Sequence, residues 1–161
     1  MIPIVDLKRQ YKQTGEEIEK AVVDVLRSGA YILGPNTKAL EQEFSQYLGT
    51  KHAIGLNSGT DALHLALRAL DIGKGDEVIT VAFTFVATTE SIEIVGATPV
   101  FVDIDPDTFN MDVTQIEDKI TPRTKAIMPV PLYGQPADMD VIMDIAKRHN
   151  LILIVDNTFM S

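Results

Sequence analysis

At 161 residues, with 45% hydrophobic and 23% charged residues, the chain has the composition of one ordinary water-soluble α/β domain. Its net charge of −9 excludes the basic surface that a nucleic-acid or anionic-membrane partner would need. With no cysteine there is no disulfide, thiol nucleophile or zinc–thiolate site. No apolar run reaches the ~18 residues of a membrane span, and the opening MIPIVDLKRQYKQ lacks a signal-peptide layout, so a cytoplasmic setting is expected. His52, His64 and His149 are scattered without metal-ligand spacing, and no metal is expected.

In chain order, Thr14 and Glu17 form a capping-box pattern, and Ile18, Ala21, Val22, Val25 and Leu26 follow at helical spacing, with Gly29 as the stop. This predicts an amphipathic helix with one buried face. Gly34-Pro35 punctuates the chain, and a second helix is predicted from Asn36, with Leu40, Phe44, Tyr47 and Leu48 on one stripe and Gly49 at its end. Up to residue 50 nothing alternates strand with helix, so residues 1–50 are expected to form an N-terminal helical segment.

From residue 51 the rhythm changes. Short apolar runs alternate with helical segments, the signature of βαβ units feeding a mostly parallel sheet. The predicted strands are Ala53–Leu56, Glu77–Val81, Pro99–Val102, Lys125–Pro129 and Leu151–Val155, with helices beginning near Gly59, Thr84, Asp112 and Asp138. The helix from Gly59 has only Asp61, His64 and Arg68 as polar positions, which predicts that most of its circumference is covered. The fold class is therefore α/β: three layers, a mostly parallel sheet with helices on both faces.

In such sheets ligands sit outside the carboxyl ends of the strands. The residues placed there include Asn57-Ser58-Gly59-Thr60, Phe83–Phe85, Asp103 and Asp105, Val130–Gly134 and Asp156. Gly59 and Thr60 open a helix, where unpaired N–H groups and a partial positive charge favour an anion; Ser58 and Asp61 read equally well as a capping box. Phe85 is an aromatic face or a core residue. Asp156 closes a run of aliphatics, Leu-Ile-Leu-Ile-Val, where a carboxylate is costly unless paired or at a wet site; it is alternatively a turn residue. Tyr133 either meets a ligand or finishes a turn, and Asp103 and Asp105 beside Pro106 are turn residues. An anion cradle, an aromatic face and a carboxylate on one edge match the needs of pyridoxal 5′-phosphate (PLP): a phosphate anchor, a stacking ring and an anion for the pyridine nitrogen.

The runs YILGP (31–35), NSGTDALHLAL (57–67), GDEVIT with FTFVAT (75–80 and 83–88), ATPVFVDID (97–105) and LYGQPADMD (132–140) resemble the DegT/DnrJ/EryC1/StrS family, in order and over nearly the whole chain. That resemblance implies a fold-type-I PLP enzyme, typically an aminotransferase of nucleotide-linked keto sugars, with glutamate as amino donor, working as a homodimer. It implies that Ser58, Gly59 and Thr60 hold the phosphate, Phe85 stacks on the ring and Asp156 pairs with the pyridine nitrogen. Tyr31 and Tyr133 are the substrate-binding candidates.

By the same resemblance the Schiff-base lysine lies some tens of residues past Asp156. Lys51 and Lys125 stand at predicted strand starts, on the opposite edge; Lys74, Lys119 and Lys147 lie in helix-to-strand connections, and the remaining four precede the sheet. None is a catalytic candidate. The expectation is that residues 51–161 are a partial PLP-binding large domain, that a C-terminal small domain is absent, and that the chain does not transaminate alone. The ending IVDNTFMS is similar to the cystathionine lyase and synthase branch of the same fold, which makes a sulfur-amino-acid lyase one alternative. A sugar dehydratase with histidine at the lysine position is another, and a non-catalytic truncated module a third.

Overall fold

The computed structural model describes residues 5–158, and the chain divides into two compact units, Met1–Gly55 and Leu56–Ser161. In the first unit, helix α1 spans Leu7–Ser28 and helix α2 spans Pro35–Leu48. The expected start of α1 at Thr14 is corrected. Nothing in KRQYKQ breaks a helix, so the cap falls at Asp6, whose carboxylate accepts the Arg9 N–H at 3.0 Å. Thr14 lies inside the helix and donates to the Gln10 carbonyl at 3.2 Å. Both predicted stops hold: Gly29 and Gly49 take the left-handed conformation, each at φ 66°. Pro35 supplies the fixed φ suited to the first position of α2. The buried face expected of α1 is not found: Ile18, Val22 and Leu26 are exposed, as are Leu40 and Phe44 on the stripe of α2.

The second unit carries helix α3 (Gly59–Ala69), strand β1 (Glu77–Val81), helix α4 (Val86–Ile94), strands β2 (Thr98–Val102) and β3 (Thr124–Ile127), helix α5 (Met139–Arg148) and strand β4 (Ile152–Leu153). The sheet order is β2-β1-β3-β4 and every pairing is parallel. Successive residues alternate between faces. Val78, Ala126 and Met128 pack with Leu63 and Leu67 of α3 and Ile92 of α4. Ile79, Val81 and Ile127 pack with Ile142, Ile145 and Ala146 of α5. The result is the predicted three-layer α/β arrangement.

Three expectations are corrected. Ala53–Leu56 forms no strand, because a strand needs a ladder partner and the Gly55 N–H is instead taken by the Glu41 carboxylate at 2.8 Å. No α-helix follows Asp112. Its carboxylate caps the Thr114 N–H at 3.0 Å, two single 3₁₀ turns follow at Val113–Gln115 and Glu117–Lys119, and Thr121-Pro122 leaves no room for a longer helix. Their effect is to bury Ile116 completely. Helix α3 buries only Leu63 and Leu67, while Leu65 and Leu70 are exposed. Asp105 is the turn residue expected, accepting the N–H groups of Asp107 and Thr108 at 3.0 and 2.8 Å. No described helix is long and apolar enough to cross a membrane.

Candidate active site

The carboxyl edge of the sheet gathers four of the predicted residues. Gly59, Thr60, Phe85 and Asp156 line one cavity of about 270 Å³, together with Leu63, Ala87, Thr88 and Thr158. Each wall has a local cause.

Helix α3 opens with Ser58 as N-cap, its hydroxyl oxygen accepting the Asp61 N–H at 3.1 Å. The capping reading of Ser58 is thus correct, with one difference: Asp61 returns through its carboxylate to the Ser58 hydroxyl at 3.2 Å rather than to the backbone. Ser58 is exposed and does not line the cavity. The N–H groups of Gly59 and Thr60 stand in the first turn, where a helix offers no internal acceptor, and none accepts from them among the described residues. Gly59 is also a point of close approach. A Cβ there would lie 3.1 Å from Thr158 Oγ1 and 3.3 Å from its Cγ2, so the missing side chain gives room to Thr158.

Phe85 is the N-cap of α4, with extended backbone, and the residue is 59% exposed, so it is no core residue. Three residues on, Thr88 is fully buried. Asp156 is carried into place by the ladder: its N–H donates to the Pro129 carbonyl at 3.1 Å, continuing the β3–β4 pairing beyond Leu153. Its side chain is 3% exposed. Oδ1 accepts the Thr158 N–H at 3.2 Å and hydroxyl at 2.6 Å; Oδ2 accepts the Thr88 hydroxyl at 2.8 Å. Among the described residues no Lys, Arg or His pairs with it.

Family membership follows from a direct match. The model of the DegT/DnrJ/EryC1/StrS aminotransferase family matches residues 12–158. The chain belongs to the DegT/DnrJ/EryC1/StrS aminotransferase family. Its relatives include a "pleiotropic regulatory protein" of Geobacillus stearothermophilus, 54% identical over 96% of this chain and 42% of its own length. They also include the UDP-2-acetamido-2-deoxy-3-oxo-D-glucuronate aminotransferase of Pseudomonas aeruginosa, 49% identical over 97% of this chain and 44% of its own length. Among solved structures, S. venezuelae DesV superposes with TM-score 0.93 at 47% identity, covering 96% of this chain and 42% of that one. NtdA of Bacillus subtilis, solved with bound cofactor PMP, superposes with TM-score 0.92 at 40% identity, covering 96% and 36%. The fold is that of these aminotransferases, and the chain spans less than half the length of the relatives it matches.

The chain's own groups fit the pyridoxamine or pyridoxal phosphate of such enzymes: an N–H-lined helix start for a phosphate, an accessible ring, and a buried carboxylate with no fixed cation among the described residues. Tyr133 lies outside this cavity; it is 74% exposed, sits at φ 57°, meets Phe109 edge-on at 5.9 Å, and shares a neighbouring cavity with Phe85. Tyr31 belongs to the first unit, where its hydroxyl donates to the Leu26 carbonyl at 3.1 Å. Thr88 and Thr158 were not among the residues singled out from sequence. The available signal for Thr88 was its place three residues after Phe85 at a helix start, one turn along the same side.

Proposed function

We propose that the protein is a PLP-dependent aminotransferase of nucleotide-linked keto sugars, with glutamate as amino donor. The observation that carries this is the convergence of Gly59, Thr60, Phe85 and the buried Asp156 on one cavity at the carboxyl edge of the sheet. Bound there, the cofactor supplies an electron sink for the carbon that exchanges its amino group. On this reading each residue has a role. Ser58 fixes the first turn of α3, Gly59 and Thr60 offer N–H groups and a hydroxyl to the phosphate, Phe85 covers one ring face, and Asp156 holds the proton on the ring nitrogen. Tyr133 and Tyr31 contact substrate.

We assign residues 51–161 to the cofactor-binding large domain and residues 1–50 to an N-terminal helical segment. No lysine lines the cavity among the described residues, and the covalent anchor is assigned to a lysine other than those described around it. The intact protein works as a cytoplasmic homodimer. Phe159–Ser161 of the lyase-like ending IVDNTFMS lie outside the described residues, and the family match favours amino transfer over that reading.

The test is to supply the intact protein with PLP, glutamate and UDP- or dTDP-linked 3-keto sugars and follow 2-oxoglutarate and amino sugar together. Coupled formation of both is expected. Sugar deoxygenation without 2-oxoglutarate would point to the dehydratase. Retention of cofactor without any turnover would instead favour the regulatory role named for the Geobacillus stearothermophilus relative. The same mixture with the 161-residue chain alone is expected to give no turnover.

A further inference from the structure

The hydroxyl groups behind Asp156 form a chain whose direction can be worked out. Thr88 Oγ1 donates to Asp156 Oδ2 at 2.8 Å, and a threonine hydroxyl has a single proton to give. The contact between Thr84 Oγ1 and Thr88 Oγ1, 2.9 Å, therefore has Thr84 as donor. The relay runs Thr84 to Thr88 to Asp156, with Thr88 fully buried and Asp156 nearly so. The carboxylate can also be counted out. Oδ1 takes two donors from Thr158 and Oδ2 takes one from Thr88. Each oxygen offers about two acceptor positions, so among the described residues one is open, on Oδ2.

We propose that Thr88 is a positioning residue for cofactor electronics: it fixes the Asp156 carboxylate so that the remaining acceptor position on Oδ2 is the one that receives the ring N–H. This role rests on the cofactor reading above. Thr88 and Phe85 stand three residues apart at the start of α4, so one helix turn sets both the ring face and the orientation of the ring-nitrogen partner. Thr84 acts one step further out. It donates to the Thr88 hydroxyl oxygen and so orients the Thr88 proton toward Asp156.

Ring-¹⁵N-labelled PLP bound to the intact protein tests this, with cofactor retention after dialysis read in parallel. The wild type is expected to show a protonated ring nitrogen over the neutral pH range. Thr88→Val keeps the shape but not the hydroxyl; its ring nitrogen is expected to lose the proton at lower pH than in the wild type, with cofactor affinity falling roughly tenfold, as for other residues that orient a ligating group. Thr88→Ser is expected to restore both readouts. Thr84→Val, which leaves the Thr88–Asp156 bond in place, is expected to move the nitrogen titration in the same direction by less, and it supplies the reading if Thr88→Val does not fold. A Thr88→Val or Thr84→Val protein whose nitrogen titrates as in the wild type overturns the proposal. A wild type that retains no PLP overturns the cofactor reading itself, and this role with it.

Discussion

The two ends of the same parallel sheet each bury a carboxylate, and they treat it differently. At the amino end, Glu77 opens β1 with a side chain 7% exposed, and it is bound by the Arg123 guanidinium and the Thr121 hydroxyl. Its charge is matched inside the protein, and the Thr121 hydrogen bond, followed by that of Arg123, holds its pKa below the ordinary glutamate value. At the carboxyl end, Asp156 is as deeply buried but has only two hydroxyls and one N–H among the described residues. A carboxylate that is oriented by neutral donors and lacks a cation is held ready for one that arrives with a ligand. A buried charge in a cavity points to function when its partner is missing; one with its cation already in place is structural.

Swapping the consequences of the two carboxylates would break this comparison. The largest effect is expected from Asp156→Ala in the intact protein: aminotransferase activity falls on the order of 10²–10³-fold, the cost of removing a preorganised electrostatic partner, while the melting temperature does not fall. Steady-state rates and a thermal melt on the same sample check both halves. Glu77→Ala should do the reverse. It removes charge-assisted hydrogen bonds at the far edge and is expected to cost about 2 kcal/mol of stability in a urea titration, with rates per folded molecule unchanged.

The pH dependence sharpens the same contrast. Because the pKa of Glu77 is lowered on folding, its contribution is fully present above the ordinary value near 4.5 and is lost as pH falls from there through the folded value. Wild-type stability should therefore drop in that acid window, and Glu77→Gln should flatten the part of the drop that this residue contributes. Denaturant titrations between pH 6 and the acid limit of solubility, about pH 3, give the slopes directly.

Two smaller effects probe the helix start. Gly59→Ala places a methyl 3.1 Å from a Thr158 hydroxyl that is itself held on Asp156, so Thr158 must give way. A loss of about 1 kcal/mol in cofactor affinity is expected, larger than the change in folding stability, measured by titrating PLP fluorescence quenching. Ser58→Ala removes the hydroxyl that accepts the Asp61 N–H and should cost roughly 0.5–1 kcal/mol of folding stability, with a weaker effect on cofactor binding. A larger loss in binding than in stability would move Ser58 from the cap into the phosphate cradle.

What was legible in the sequence was local or periodic. Gly29 and Gly49 stopped their helices because a left-handed residue there costs glycine nothing. The run Glu77–Val81 became the fully buried strand its aliphatics implied, and Asp138 capped α5 through the Val141 N–H. Asp156 was visible as a carboxylate at the end of an aliphatic run. Two of the corrected expectations share one cause. Ala53–Leu56 had the residues of a strand but no ladder partner, and Asp112 had the cap of a helix but too little chain before Pro122. Whether a segment pairs or propagates depends on what lies beside it, which spacing along the chain does not record.

The sequence by itself determined the alternation of strands and helices from β1 onward, since that follows from residue type and spacing, and it left Gly59, Thr60, Phe85 and Asp156 each with a capping, core or turn reading beside the cofactor role that the resemblance implies. Only the tertiary structure decided that Thr88, 68 residues away in sequence, donates to Asp156. Only it showed that Thr158 fills the space Gly59 leaves, and that among the described residues Asp156 keeps one acceptor position open. Those are relations between side chains brought together by parallel strand pairing and helix packing, and no local pattern encodes the distance between them.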